Sequence, residues 1–314
     1  MVQPGVMRTL AVINPHSGGG RTGAQRGAIE AALKTTLGDV TTVATLRAGD
    51  ATRLVAEGLG AGYRRIVAIG GDGTLNEAVN GFFRDGVPIA PDAHFSFAMS
   101  GSGGDFRRTF GVEGNTLSAI AALKDAQPRQ IDLGRVTFAT PRGKELRLFI
   151  NIASFGLSGE VVNRVNRARI AKWFGGPFAF KWHSTMAALT FKPWRVRLSI
   201  DDSFYEEIEI STVAVCNGRF FGGGMKIAPD AAPDDGLFDV VIIAETKTRE
   251  MIARMNDIYS GTHIQHPNVR VLRGRRVIAA PVAGRAAFAE RDGEGGMQLP
   301  ASFELLPGAL NLWI

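Results

Sequence analysis

The chain has 314 residues, 45% hydrophobic and 21% charged, a globular composition with room for one large or two ordinary domains. A net charge of +6 and a pI of about 9.8 favour an anionic partner: nucleic acid, a phosphate-rich ligand or an acidic membrane surface. The single cysteine, Cys216 in the apolar run TVAVC, excludes an internal disulfide and fits a reducing compartment, and no apolar run reaches the ~18–20 residues that cross a bilayer.

The N-terminal stretch MVQPGVMRTLAVINP lacks a signal-peptide apolar region, because Pro15 and the glycines after it cut the run short. A cytoplasmic protein that touches a membrane from one side is expected. Thr9–Ile13 is strand-like, Thr22–Leu37 is amphipathic with helical period, and Val40–Thr45 returns to a strand pattern. Asp50 reads as the N-cap of a helix over Ala51–Ala61. Ile66–Ile69, a helix after Thr74, and Phe95–Ala98 continue the alternation. This order predicts a parallel, doubly wound α/β domain over residues 1–132. Ligands of such sheets sit at the carboxyl ends of the strands, so Asn14, Thr45, Gly70 and Met99 should converge on one rim.

Beyond residue 132 the texture changes. Val136–Phe138, Glu145–Ile152, Arg195–Ile200, Glu207–Val215, Leu237–Ile243 and Val269–Ala280 are short and β-rich. They predict a mostly antiparallel β domain over 133–302, with helical patches around 159–190 and 247–258. The last strand-like pieces, Phe303–Leu306 and Leu310–Ile314, are expected to return to the first domain.

Three glycine loops follow predicted strands: Asn14-Pro15-His16-Ser17-Gly18-Gly19-Gly20, Gly70-Gly71-Asp72-Gly73-Thr74, and Ser100-Gly101-Ser102-Gly103-Gly104-Asp105. Glycines let backbone N–H groups close on phosphate oxygens, and a helix N-terminus adds a favourable dipole. One such loop is often a tight turn; three at equivalent strand ends point to a polyphosphate site. Asp72 and Asp105 add carboxylates suited to Mg²⁺. Gly18-x-Gly20-x-x-Gly23 formally matches a dinucleotide fingerprint, but Asn14 to Ser17 displace the turn from the strand, which argues against an NAD-dependent dehydrogenase. The only Gly-Lys pair, Gly143-Lys144, is followed by Glu145, so the Walker motif is absent.

The segments NPHSGGGR, GDATRLV, GGDGTLNEAVNGF, SGSGGDFRRTFG, FGGGMKIAPDAAPDDGLFDVVI and DGE at 292–294 together resemble the diacylglycerol kinase catalytic-domain family. That family includes sphingosine and ceramide kinases and bacterial soluble lipid kinases. The resemblance runs from about Arg8 to the C-terminus. GGDGT alone is shared with NAD kinases and phosphofructokinases; APDAAPDDGLFDV and DGE are more specific.

The resemblance implies an ATP site in a cleft between an α/β domain and a β-sandwich domain. Asn14, Pro15, His16, Ser17 and Gly18 would line the phosphates. Thr45 matches a nucleotide-contacting threonine. Gly70, Gly71, Asp72, Gly73, Thr74, Leu75 and Asn76 would wrap the nucleotide, with Asp72 near the metal. Ser102 stands where the family usually has threonine. Gly104-Asp105 stands where it commonly has Asn-Asp, so one amide donor and acceptor is missing beside the nucleotide. A non-catalytic nucleotide- or lipid-binding relative is the reading that departure favours.

In APDDGL, the turn-forming reading of Gly236 competes with a structural Mg²⁺ or Ca²⁺. The resemblance implies that cation on the Asp235 carboxylate and the Ala232 and Leu237 carbonyls. Asp292-Gly293-Glu294 reads as a hairpin turn from the sequence. In the family its acids face the γ-phosphate, which makes Glu294 the proton acceptor and Asp292 its partner or competitor. Arg21 reads either as a cation for the phosphates or as a solvated surface arginine.

From Val161 to Arg197 there are eight basic residues and no acidic ones, with Trp173, Trp182 and Trp194 among them. Interleaved cations and rings suit an anionic membrane interface, and a helical cover over the β domain would also use them. No recognition-helix or stacking-sheet signature supports nucleic acid. The expected protein is an ATP- and Mg²⁺-dependent kinase of a primary hydroxyl on a membrane lipid, diacylglycerol-type or ceramide/sphingoid-type. It would work as a monomer or homodimer at the inner face of the membrane. A soluble-substrate kinase of the NAD kinase type is the alternative.

Overall fold

The computed structural model describes residues 7–100, 104–112, 114–141, 143–167, 193–244, 255–282 and 287–314. The chain divides into two compact units, Met1–Ile131 with Gly308–Ile314, and Asp132–Pro307.

In the first unit, β1 (Thr9–Ile13) leads through a short 3-10 turn and α1 (Arg21–Ala24) to α2 (Arg26–Leu37) and β2 (Val40–Ala44). Then come α3 (Asp50–Gly60), β3 (Arg65–Gly70), α4 (Asp72–Asn80), a small hairpin of β4 (Phe83–Arg84) and β5 (Val87–Pro88), β6 (His94–Met99), α5 (Asp105–Thr109) and α6 (Thr116–Ala122). β2, β1, β3 and β6 lie side by side in that order, all parallel. The chain's last strand adds to β6 in parallel, pairing Asn311 with His94 and Leu312 with Phe95.

Every residue of β1 is buried, as are Ile66–Gly70 of β3, the pattern of strands covered on both faces. Ile13, Val67 and Ile69 share one core with Ile29 and Leu33 of α2 and Ile120 of α6. On the other face Gly58 of α3 comes so close to Leu10 that a Cβ there would lie 2.4 Å from its Cδ2. Asp50 is not the N-cap that the sequence suggested. Gly49 holds that position in the left-handed region, and the Asp50 carboxylate turns back to accept the N–H of Leu46 (2.9 Å) and Arg47 (3.2 Å). The Leu46 N–H is the main reason its carboxyl sits below the usual range.

The second unit is β-rich and sandwich-like. Its elements are β7 (Pro128–Thr140, its first residues in the first unit), β8 (Gly143–Phe149), β9 (Ile152–Gly156), α7 (Leu157–Arg167), β10 (Trp194–Ile200), β11 (Phe204–Cys216) and β12 (Phe238–Ala244). α8 (Met255–Ser260), β13 (Val269–Gly274), β14 (Arg276–Pro281), β15 (Phe288–Arg291), β16 (Glu294–Gln298) and β17 (Ala301–Trp313) follow. β11 pairs antiparallel with β10, β12 and β9, β10 with β14, and β15 with β9 and β16. β10 shows the two-residue period plainly: Trp194, Val196, Leu198 and Ile200 are buried while Arg195 and Arg197 face out. The core collects Phe149, Phe155, Phe238 and Phe303, with Phe149 stacked on Phe238 at 5.7 Å and Phe155 on Phe303 at 6.0 Å. Truncating one of these rings to alanine would cost about 3–5 kcal/mol. Residues 301–307 of β17 lie in this unit and 308–313 in the first.

Among the described residues no helix is long and apolar enough to cross a membrane.

Candidate active site

At the carboxyl rim of the first sheet the strand-end loops are tied to one another by hydrogen bonds. Asn14 N–H donates to Ile69 O (2.9 Å), Thr45 N–H to Ile13 O (2.9 Å) and Ser100 N–H to Gly70 O (2.8 Å). The Asn14 amide donates to Thr74 Oγ1 at 2.9 Å and its Oδ1 accepts the His16 N–H at 3.0 Å. Ser17 Oγ bonds Asn14 O (2.8 Å) and the Thr22 hydroxyl (2.6 Å). Gly18 and Gly19 then take left-handed angles, and Arg21 Nε reaches back to Gly18 O at 2.9 Å. The Arg21 side chain therefore closes this loop by donating to the Gly18 carbonyl. Pro15 accepts the Gly23 N–H through its carbonyl at 3.0 Å.

The second loop opens α4. An α-helix leaves its first N–H groups without acceptors of its own, and here those belong to Asp72, Gly73 and Thr74, after the N-cap Gly71. Thr74, Leu75 and Asn76 are buried. Leu75 points into the core and its N–H is spent on Gly71 O at 3.1 Å, so it shapes the loop from behind. Glu77 accepts the N–H of Gly49 (2.8 Å) and Ala51 (3.2 Å). One acid thus fixes the start of α3 and the end of the Thr45 loop. Sequence reasoning missed it, although it closes the quoted run GGDGTLNE.

From the third loop, Gly104 donates its N–H to Asp72 Oδ2 at 2.9 Å. Asp105 is buried and pairs with Arg108 Nη1 at 2.6 Å. Ser102 lies outside the described residues. The structure thus gathers Asn14, Ser17, Thr45, Gly70, Asp72, Thr74 and Gly104 at one rim. Among the described residues no three His, Cys, Asp or Glu side chains converge as a metal cage.

In the second unit β15 and β16 form a two-residue hairpin. Asp292 and Gly293 both have positive φ, 45° and 81°, the turn that Asp-Gly favours, and Arg291 pairs with Glu294 across it. Asp292 Oδ2 accepts the Ile150 N–H at 2.8 Å, and its Oδ1 accepts those of Asn151 and Ile152, each at 3.0 Å. Its own N–H donates to Ile152 O at 2.8 Å. Glu290 is buried, accepts the Gly293 N–H at 2.9 Å and takes the Ser154 hydroxyl on its other oxygen. Burial pushes its carboxyl up to about 7. Glu294 is exposed. Ser154 and Glu290 are cross-strand neighbours separated by 136 positions, a pairing no sequence pattern announces.

At the loop of residues 232–237, the Asp235 carboxylate accepts the Leu237 N–H at 3.0 Å and pairs with Arg273. Asp132 accepts the Gly236 N–H at 2.8 Å, and Arg275 donates to Gly236 O at 3.1 Å. Arginines balance this loop in the structure. A divalent cation on Ala232, Asp235 and Leu237 would have to displace Arg273. The basic–aromatic window lies largely in residues 168–192, outside the described residues.

Residues 8–136 match the diacylglycerol kinase catalytic domain, and residues 151–314 match the YegS C-terminal NAD kinase beta sandwich-like domain. The chain belongs to the diacylglycerol kinase family. It is a kinase of the lipid-kinase type, and a kinase of this family uses ATP. A Pseudomonas putida protein named "Probable lipid kinase YegS-like" is 30% identical over 85% of this chain and 83% of its own length. A Mycobacterium tuberculosis protein named diacylglycerol kinase is 29% identical over 97% of this chain and 94% of its own. Two crystal structures from Bacillus anthracis share the fold. One has a TM-score of 0.78 at 23% identity, covering 98% of this chain and 94% of that one. The other, described as a diacylglycerol kinase, has a TM-score of 0.71 at 19% identity, covering 98% and 96%.

Proposed function

We propose that this kinase transfers the γ-phosphoryl group of ATP to the primary hydroxyl of a diacylglycerol-type membrane lipid. The observation that carries the reading is the rim of the first unit. Three glycine-bearing strand-end loops are bonded together there, with Asp72 at the first position of α4, in a chain whose two halves both match lipid-kinase family domains.

Phosphoryl transfer asks a protein chiefly for alignment and charge neutralisation. The first N–H groups of α4 and the loop of Asn14 to Gly18 receive the phosphates, and buried Thr45 and Asn76 bound the nucleotide. Asp72 and Asp105 are the carboxylates that would hold a Mg²⁺ ion, and such an ion would offset phosphate charge. Glu294 accepts the proton of the lipid hydroxyl as that oxygen forms its bond to phosphorus and the bond from the γ-phosphorus to the bridging oxygen breaks, releasing ADP. Glu294 is preferred over Asp292 because both oxygens of Asp292 are committed to three backbone N–H groups. Asp292 positions the hairpin. Trp194 is buried in the β core, so it is the cations and the other rings between Val161 and Arg197 that hold the enzyme to an anionic membrane from the cytoplasmic side.

The test is γ-labelled ATP and Mg²⁺ with micelles carrying diacylglycerol, ceramide or sphingosine separately. Label in the organic phase of the diacylglycerol arm, reduced at least 100-fold in Asp72→Ala and Glu294→Gln, is the expected result. Label confined to ceramide or sphingosine would change the acceptor. Label in no lipid, from protein that still binds ATP, would overturn the reading.

A further inference from the structure

Side chains of β15 alternate between two faces. Glu290 lies opposite Ser154 of β9 and Arg291 opposite Ala153, so the acid and the cation leave the strand on opposite sides. Arg291 follows Ala287 and Ala289 on the side of the sandwich core. Across the turn it pairs directly with Glu294, and such partners share a face with Cβ atoms about 4.5–5.5 Å apart. Arg147 comes from β8, where it lies opposite the core residue Val136 and two positions before the core residue Phe149. Two arginines thus reach the end of one apolar core.

Arg291 is half-buried, and its buried Nε has no hydrogen-bond partner among the described residues. Native structures seldom leave a buried donor unmet. Burial, and next the like charge of Arg147, hold the Arg291 pKa below the usual arginine range, and Asp292, Glu294 and Glu290 pull the other way without restoring it. Arg147 is exposed and has partners of its own, Glu145 at 2.7 Å and Leu146 O at 2.8 Å. A desolvated cation with an unmet donor and a second cation at its side is relieved by an anion. A guanidinium fork matches phosphate oxygens two at a time.

We propose that Arg291, with Arg147 beside it, binds a terminal phosphate group on the hairpin face that carries Glu294. This rests on the lipid-kinase reading for the source of the group: the γ-phosphate of ATP, or the phosphate monoester left on the lipid after transfer. Either presents three acceptor oxygens and nearly two negative charges. While Glu294 is ionised it competes for Arg291. The proton that Glu294 takes from the lipid hydroxyl ends that competition as the new phosphate forms.

The experiment is calorimetric titration of the purified full chain with ATP, with ADP, and with micelles carrying phosphatidic acid or phosphatidylglycerol of equal chain length. Phosphatidic acid is a phosphate monoester, whereas phosphatidylglycerol is an anionic diester. The variants are Arg291→Met, Arg291→Lys and Arg147→Met. Loss of a charge-assisted fork predicts that Arg291→Met weakens binding of the monoester, of ATP, or of both about tenfold or more. Phosphatidylglycerol and ADP should bind as before. Arg291→Lys should recover part of the loss, because it restores charge without the fork, and Arg147→Met should lose less than Arg291→Met. A loss on phosphatidic acid alone identifies the product phosphate; a loss on ATP alone identifies the γ-phosphate. The melting temperature of Arg291→Met should hold or rise, since an unpartnered desolvated cation is removed; a clear fall would make Arg291 a structural support and overturn the inference. Equal losses on both lipids, equal losses on ATP and ADP, or no loss on any probe would also overturn it. A site confirmed by binding in a chain that labels no lipid from γ-labelled ATP would sink the kinase reading and leave the phosphate site standing.

Discussion

The rim of the first unit and the hairpin of the second handle the same group, the backbone N–H, in opposite ways. At the rim, the first turn of α4 presents N–H groups that no helical carbonyl can reach. At the hairpin, Asp292 takes the N–H groups of Ile150, Asn151 and Ile152, and Glu290 takes that of Gly293. Donors at a helix start, beyond the reach of its own carbonyls, suit an anion, while donors met by carboxylates make a rigid support. The hairpin therefore carries acids with divided labour: Asp292 spends its oxygens on backbone N–H groups, Glu290 spends its own on the Gly293 N–H and the Ser154 hydroxyl, and Glu294 stands exposed on β16. That division is what the following variants break or sharpen.

The largest effect should come from Glu294→Gln. Loss of a general base lowers kcat by about 10²–10⁴-fold. Because Glu294 is exposed, the melting temperature should stay where it is. A matching fall in stability would put Glu294 among the supports instead.

Asp292→Ala should show the reverse signature. It strands three half-buried N–H donors, and unmet donors cost about 1–3 kcal/mol each when water cannot replace the partner. An unfolding loss of about 3–5 kcal/mol in urea titration is expected, with activity falling as the hairpin loosens. Unchanged stability would show that the strand turn at 150–152 holds its shape alone.

Glu290→Gln should stabilise the protein, and only at higher pH. The folded carboxyl titrates at about 7 against 4.5 for a free one. With the folded value raised, no penalty exists below about 4.5. The penalty grows through the interval and is complete above about 7. At 1.36 kcal/mol per unit, replacing the ionisable group should gain about 3 kcal/mol at pH 8 and nothing at pH 4, read from urea unfolding at the two values. Equal gains at both values would mean that the folded Glu290 carboxyl titrates like a free one and that its burial carries no ionisation penalty.

The same contrast explains what could be read from the sequence. The rim is built from contiguous signals, strand then glycine loop then helix, so IVAIGGDGTLNE announces β3 within a residue and α4 within three. The supports of the hairpin are cross-strand partners more than a hundred positions apart, and nothing local marks them. Strand ends failed in the same way. Val269–Ala280 reads as one run, but the Asp201 carboxylate accepts the N–H groups of Arg275 (3.1 Å) and Arg276 (2.8 Å) and splits it into β13 and β14. Phe303–Leu306 and Leu310–Ile314 read as two pieces, yet β17 runs through both. Asp50 was misread because a capping acid and an acid that grips the preceding loop look alike in sequence; Gly49 already held the cap.

The smallest effect tests whether the rim also relies on carboxylate supports. Glu77 grips the N–H groups of Gly49 and Ala51 from α4, while Thr52 Oγ1 donates to Glu77 O at 2.8 Å. It therefore acts on α3 as a capping side chain would, but from another helix, since Gly49 has no side chain to offer. Its negative charge also lies at the positive end of α3. Glu77→Gln removes that charge and turns one acceptor into a donor facing an N–H. The expected cost is about 1 kcal/mol of stability, the usual value of a lost cap. Because Thr45 leads into the gripped loop, the KM for ATP should rise a few-fold with kcat nearly unchanged, as expected when binding is weakened equally in the ground and transition states. A fall in kcat as large as that of Glu294→Gln would mean that the rim shapes the reaction itself, and the division between helix-start donors and rigid supports would no longer separate the two regions.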